Sequence, residues 1–308
     1  MTKTVFIDGG AGTTGLEIAD RLGGRPDLAI LTLPDDRRKD AEARREAIND
    51  ADFVILCLPD DAAREAVSLI ANDRTRVVDA STAHRTADGW VYGFAELDPD
   101  QQDRIAAARF VSNPGCYPTG FLALVRPLVR AGIIPAGFPL TVNAASGYSG
   151  GGKAMIADYE TATERAFRPY GLGLAHKHAP EMRRHSGLDH APIFAPSVVD
   201  TYRGMVVEVP LPLYALPGAP SLDRVADTLA QAYADSRIVR FSPDTVAAVN
   251  IEENAGTDRM TLRVCGNAAT GQARLIATLD NLGKGAGGAA VQNLNIMAGL
   301  DPTAGLVL

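Results

Sequence analysis

Cysteine, aromatic residues and long apolar runs are scarce in this 308-residue chain. The three cysteines, Cys57, Cys116 and Cys265, are odd in number and far apart. They make neither a disulfide framework nor the paired spacing of a structural zinc site. The longest unbroken hydrophobic run is the six residues from Phe53 to Leu58. A membrane-spanning helix needs about 20. Positive charge is short as well: Lys plus Arg number 30 against 37 Asp plus Glu, a net charge of −7. That argues against sequence-independent nucleic-acid binding, which depends on basic residues neutralising phosphates. Met1-Thr2-Lys3-Thr4 leads straight into an apolar strand with no signal-peptide pattern, so a reducing cytoplasm is the expected location.

What is present is a globular composition, 46% hydrophobic and 22% charged. The length suits two domains, with core enough to fold without disulfides or a structural metal. Thirty Gly and 19 Pro point to many turns and to backbone contacts with ligands. The first stretch alternates strands (Val5 to Asp8, Ala29 to Leu33, Phe53 to Leu58, Arg76 to Asp79) with helices (Thr14 to Leu22, Asp40 to Asn49, Ala62 to Ala71). This alternation predicts a parallel, Rossmann-type α/β sheet with right-handed crossovers, closed by Arg109 to Val111. After a long helix from Tyr117 to Val129, and a strand entered between Pro135 and Ala145, period-2 strands dominate. They predict an α+β domain with a largely antiparallel sheet. Leu282 to Met297 reads as a terminal helix opened by glycines.

Gly10-Ala11-Gly12-Thr13-Thr14-Gly15 follows a strand and opens a helix, the setting of a dinucleotide fingerprint. Glycines there permit a tight turn and a close approach of backbone to pyrophosphate at the positive helix end. A merely flexible turn is the plain alternative. No acidic residue stands cleanly at the end of the second strand to hold a ribose hydroxyl; Pro34-Asp35-Asp36-Arg37-Arg38-Lys39 follows instead. Arg37 and Arg38 suit a 2′-phosphate, which favours NADP(H) over NAD.

In Ser112-Asn113-Pro114-Gly115-Cys116-Tyr117-Pro118, Cys116 falls at a helix start, where the thiolate is favoured and free backbone amides can hold an oxyanion. A small buried thiol capping a helix is the alternative. His176-Lys177-His178-Ala179-Pro180-Glu181, if extended, puts two imidazoles on one side, available as acid/base, with Glu181 able to orient a ring. A metal reading finds no third ligand, so no metal is expected. Ser81 and Arg85 lie in a loop after a strand and can grip a phosphate or carboxylate. Ser146 to Lys153 is a small-residue loop suited to a flat cofactor ring.

These motifs, with the closing Asn281-Leu282-Gly283-Lys284-Gly285-Ala286-Gly287-Gly288 stretch, resemble the N-acetyl-gamma-glutamyl-phosphate reductases in their shorter sequence type. The resemblance runs nearly the whole length. Thr13 stands where the longer type commonly has tyrosine. The wider superfamily includes aspartate-semialdehyde dehydrogenase. The resemblance implies an NADP-binding domain of residues 1–115 with 282–308 and a catalytic and oligomerisation domain of residues 116–281. It implies that Cys116 attacks an acyl phosphate to form a thioester, with His178 or His176 as acid/base. Gly147, beside Ser146, and Asn281 would bound the nicotinamide; Ser81, Arg85, Asn113 and Glu181 would contact substrate. It further implies a small-molecule acyl-phosphate substrate and a homo-oligomer, dimer or tetramer, in arginine biosynthesis. Reduction of another acyl phosphate (aspartyl or aminoadipyl) is the nearest rival. An NADP-binding redox sensor with Cys116 as its switch is the rival of a different class.

Overall fold

The computed structural model describes residues 2–34 and 36–308; Asp35, part of the basic stretch above, lies outside them. In chain order, the first elements are β1 (Lys3–Asp8), α1 (Thr13–Leu22), β2 (Leu28–Leu31), α2 (Ala41–Asp50) and β3 (Phe53–Leu56). Then come α3 (Asp60–Ser68), β4 (Arg76–Asp79), β5 (Val91–Tyr92), α4 (Gln101–Ala107) and β6 (Phe110–Ser112). The six strands pair in parallel in the order β2-β1-β3-β4-β6-β5. The alternation predicts that the strand near Arg109 closes the sheet; instead β5 lies outside it and forms the edge. With two residues, β5 is too short to carry a periodic signal. Helix α2 starts where Asp40 caps it, its carboxylate accepting from the Ala43 N–H at 2.7 Å.

The second run begins with α5 (Cys116–Arg130), β7 (Thr141–Gly147), α6 (Gly152–Thr161), β8 (Phe167–Pro169), α7 (Ala179–Ser186) and β9 (Ile193–Val199). It continues through β10 (Met205–Pro212), α8 (Leu222–Ala232), β11 (Val239–Phe241), β12 (Met260–Asn267) and β13 (Gln272–Leu279). A π-turn over Gly283–Gly287 leads into α9 (Gly288–Ala298). The seven-stranded sheet runs β11-β12-β13-β10-β7-β9-β8. Four of its pairings are antiparallel, and the β7–β9 and β11–β12 pairings are parallel, so the sheet is mixed.

The chain divides into two compact units. The first is residues 1–95, 99–115 and 286–306; the second is 96–98, 116–285 and 307–308. Helix α9 belongs to the first, where Ala290, Val291 and Leu294 are packed with Val5, Ile18, Val78 and Val111 in one core. It is buried on nearly every side, the amides of Gln292, Asn293 and Asn295 included, so it has no solvated face. Its outer end is tied down by Arg25, which donates to Asn295 Oδ1 at 2.7 Å. Among the described residues, no helix is long and apolar enough to cross a membrane.

Candidate active site

In the first unit, β1 runs into Gly9, whose φ of +86° only glycine adopts without strain. A Cβ there would also sit 2.3 Å from the Cys57 carbonyl oxygen. Gly12 donates to the Gly9 oxygen at 3.0 Å and caps α1 with no side chain, and Thr13, Thr14 and Gly15 form its first turn. At Gly15 a Cβ would meet Gly10 Cα and Gly9 O at 2.7 Å, so the loop coils tightly onto the helix. A cleft of about 840 Å³ opens beside it, lined by Gly9, Gly10, Ala11 and the cations Arg38, Lys39 and Arg44.

Sequence reasoning singled out Arg37 and Arg38, and the structure separates them. Arg38 lines the cleft; Arg37 is not among the lining residues and faces Glu46 at 3.8 Å on the surface. Lys39, of the same basic stretch, lines the cleft too, and Arg44 is the cation there that the sequence does not single out. Arg44 sits on a helix whose charge pattern reads as solvated, yet it is buried and grips Asp8 Oδ2 through Nε (3.1 Å) and Nη2 (2.9 Å). Burial pushes the Asp8 carboxyl above its ordinary value despite that pairing. Asp8 is the one acid among the described lining residues, and Arg44 already neutralises it. The cleft therefore suits a polyanion, with basic residues where a ribose-binding acid would otherwise stand. These residues fit a pyridine nucleotide.

The loop after β4 is arranged around buried Asp79. Ser81 donates to it through its N–H (2.9 Å) and Oγ (2.7 Å), and His84 Nδ1 lies 2.6 Å from Oδ2. His84 also stacks on Trp90 with centroids 4.1 Å apart. The Ser81 hydroxyl thus points inward. Arg85 is buried, with Nη2 on the Ala80 oxygen at 3.1 Å. The Asn113 amide spans Ala286 O (3.0 Å) and Asn293 Nδ2 (3.0 Å), which locks the loop just ahead of Cys116.

In the second unit, Cys116 is the first residue of the 15-residue helix α5 and is half-buried. The helix dipole favours negative charge at that end. Cys57 contrasts with it, because burial, with Asp79 and Asp8 nearby, pushes its thiol up to about 12. Next to Cys116, buried Tyr117 donates to the Ser197 oxygen (3.1 Å) and accepts from Tyr170 (3.2 Å). Burial raises both phenols, Tyr170 to about 12, and negative charge on Cys116 raises them further.

Both imidazoles pack on Tyr117, with centroids 6.2 Å away for His176 and 5.9 Å for His178. The two rings are 4.7 Å apart. An extended chain does not bring them together, contrary to the sequence expectation. His178 is the αR N-cap of α7, with Pro180 in its first turn, and its N–H donates to His176 Nδ1 at 3.1 Å. Proline in the first turn needs no donor and nucleates the helix, so the chain bends at the pair. Burial, then Lys177, lowers the His176 pKa against the opposing pull of Glu181, so that ring is neutral at neutral pH. Glu181 is buried in the first turn of α7.

The Ser146–Gly147 end of β7 is pressed against another loop: a Gly147 Cβ would stand 2.7 Å from the Tyr202 oxygen. Asn281 ties this corner together, donating to Ser149 Oγ (2.8 Å) and accepting from the Gly204 N–H (2.9 Å). Gly285, in the closing glycine-rich stretch, packs directly on Cys116; a Cβ there would lie 2.9 Å from Cys116 Cβ.

Residues 4–105 match the family described as semialdehyde dehydrogenase, NAD binding domain, and residues 116–281 match semialdehyde dehydrogenase, dimerisation domain. N-acetyl-gamma-glutamyl-phosphate reductase 2 of Nostoc sp. is 50% identical over 98% of each chain. The protein of that name from Pseudomonas putida is 52% identical over 97% of each. Among solved structures, aspartate semialdehyde dehydrogenase II from Vibrio cholerae shares the fold with a TM-score of 0.72 at 15% identity, covering 97% of this chain and 99% of that one. The Francisella tularensis aspartate semialdehyde dehydrogenase gives 0.73 at 14% identity, over 97% and 100%. With half its residues shared along its whole length, the chain belongs to the semialdehyde dehydrogenase family and, within it, to the N-acetyl-gamma-glutamyl-phosphate reductases.

Proposed function

We propose that the chain reduces N-acetyl-gamma-glutamyl phosphate to N-acetylglutamate 5-semialdehyde and phosphate, in arginine biosynthesis, through a thioester on Cys116. The observation that carries the reading is Cys116 at the head of α5, followed by a buried tyrosine on which two imidazoles pack. Cys116 Sγ attacks the acyl carbon; the bond to the phosphate oxygen breaks and phosphate leaves with that electron pair. Splitting one substitution into two steps lowers the larger barrier. A bound pyridine nucleotide supplies the hydride equivalent that takes the thioester to the aldehyde level.

This chain's residues do the rest. Backbone N–H groups at the start of α5 hold negative charge on the acyl oxygen. His178, or neutral His176, takes the thiol proton and returns one as the C–S bond breaks, with Glu181 orienting the pair. Arg85 binds the substrate's anionic end, with Ser81 and Asn113 shaping the loop around it. Gly10, Ala11, Gly12, Thr13, Thr14 and Gly15 hold the pyrophosphate. Ser146, Gly147 and Asn281 bound the nicotinamide.

The nucleotide is NADP(H), read by Arg38 together with Lys39 and Arg44, which the basic lining of the cleft supports. The enzyme works in the cytoplasm as a homo-oligomer. The match of residues 116–281 to a domain described by its dimerisation supports the latter.

The test runs the reaction backwards, with N-acetylglutamate semialdehyde, phosphate and NADP, following NADPH absorbance. Phosphate-dependent NADPH formation, lost by about 10³-fold or more in Cys116→Ser, is the expected result. Faster turnover of aspartate semialdehyde would move the substrate while keeping the mechanism. Unimpaired turnover by Cys116→Ser would sink the thioester.

A further inference from the structure

We propose that the buried Lys284–Glu96 ion pair is a positioning device for Cys116, holding the Gly283–Gly287 turn so that its backbone walls one side of the nucleophile. The inference rests on the thioester reading above. Lys284 Nζ lies 2.6 Å from Glu96 Oε2, and the two side chains are 2% and 7% exposed. Removing two charges from water is costly, and apolar side chains of similar volume often serve stability as well or better. A buried pair at this place calls for a role besides stability.

The turn supplies that role. Its sequence is Gly-Lys-Gly-Ala-Gly, so Lys284 is its one long side chain and the remainder is backbone with little to anchor it. Its entry is fixed by Asp280, whose Oδ1 accepts from the N–H groups of Leu282 (2.7 Å) and Gly283 (3.1 Å). Gly285 then donates to the Asp280 carbonyl oxygen at 2.9 Å, which leaves it in contact with Cys116. Between those points the register depends on where Lys284 is tethered.

Its tether is tied to the nucleophile's own helix. Glu96 is followed by Leu97 and Asp98. Asp98 accepts from Arg126 (3.0 Å) and Arg130 (2.8 Å) of α5, and Arg130 also reaches the Leu97 oxygen at 3.2 Å. One short segment therefore links the helix that begins at Cys116 to the turn that packs on Cys116. The pair is neutral as a whole, so its contribution is one of position rather than of net field.

Position and fold are separable by experiment. In Lys284→Met, which keeps volume and loses the tether, kcat for the semialdehyde should fall about 10- to 100-fold with KM for the nucleotide unchanged. Iodoacetamide labelling of Cys116, read by mass spectrometry with Cys265 as internal control, should rise about fivefold as the wall loosens. A thiol that is more accessible yet less productive marks lost positioning, which a general loss of stability does not mimic in folded protein. A lowered Tm with both rates unchanged would overturn the proposal. Glu96→Asp draws the carboxylate back by one methylene and serves if Lys284→Met does not fold. The same opposed changes, smaller, are expected there, and unchanged rates would overturn the proposal equally. Absence of turnover in the parent would instead strike the thioester reading, leaving the labelling comparison to judge the tether.

Discussion

Two glycine-rich turns open helices in this molecule, and they use the missing side chains for opposite ends. At Gly9 to Gly15 the glycines leave the backbone bare beside a cleft of about 840 Å³, where a ligand can approach it. At Gly283 to Gly287 they let the backbone pack on protein: Gly283 comes so near that a Cβ would stand 2.1 Å from the Thr257 oxygen, and Gly285 lies against Cys116. The first turn leaves its backbone open to the cleft, and the second packs its backbone on protein. In sequence the two look alike. What distinguishes them is the neighbour, a cleft with cations in one case and a half-buried thiol in the other.

That contrast can be broken in several ways. The largest effect is expected from Gly285→Ala, whose new methyl collides with both Cys116 Cβ and the Asp280 oxygen. Turnover should fall about 100-fold or more while nucleotide Kd, measured by calorimetry, stays near the parent value. A change confined to nucleotide affinity would mean that the turn faces the ligand after all. Gly9→Ala should do the reverse. Forcing Cβ onto a φ of +86° against the Cys57 oxygen should cost about 1–3 kcal/mol, seen in thermal melts, and should weaken nucleotide binding. Gly12→Ala, with its nearest neighbour at 3.4 Å, is the milder control.

A smaller effect separates two adjacent arginines. Arg38→Ala should weaken NADPH about tenfold relative to NADH, and Arg37→Ala within about twofold, in a titration of each nucleotide. Equal effects would show that the cleft lining does not decide the choice. The smallest is a difference in pH dependence between Asp8, at the end of β1 ahead of the first turn, and Asp98, paired with the far end of α5. Burial raises Asp98, but hydrogen bonds from Arg126 and Arg130 outweigh it, so its pKa is lowered. Its stabilisation is full above the ordinary carboxylate value near about 4 and is lost as pH falls through the lowered one. Asp8 is raised, so the folded form holds its proton longer, and its contribution declines as pH climbs from the ordinary value through the raised one. Melting curves from pH 3 to 7 should therefore show opposite changes of slope in Asp98→Asn and Asp8→Asn. Parallel curves would remove the distinction.

Much of the fold was legible because local patterns carry it. Alternating apolar runs and amphipathic helices announced a parallel sheet, and every strand of it except β5 could be placed from its own residues. Cys116 stood out because a cysteine between Pro-Gly and Tyr-Pro marks a helix start. The histidine pair was found for a reason that did not survive: the residues meet at a bent helix cap, not on one side of a strand. Arg44 escaped because its helix has a charged pattern, and only the packing of α2 reveals that this charge faces Asp8 rather than water.

Sequence alone determined where the glycines, Cys116 and the imidazoles stand along the chain. Those choices are local, set by backbone freedom at glycine, by the dipole at a helix start and by the titration range of histidine. Tertiary structure decided what each of them faces. Arg38 lines the cleft and Arg37 does not, Ser81 turns its hydroxyl inward to Asp79, and Lys284 reaches Glu96 across 188 positions of chain. Burial and electrostatic pairing depend on residues distant in sequence, and no local pattern encodes which distant residue will arrive.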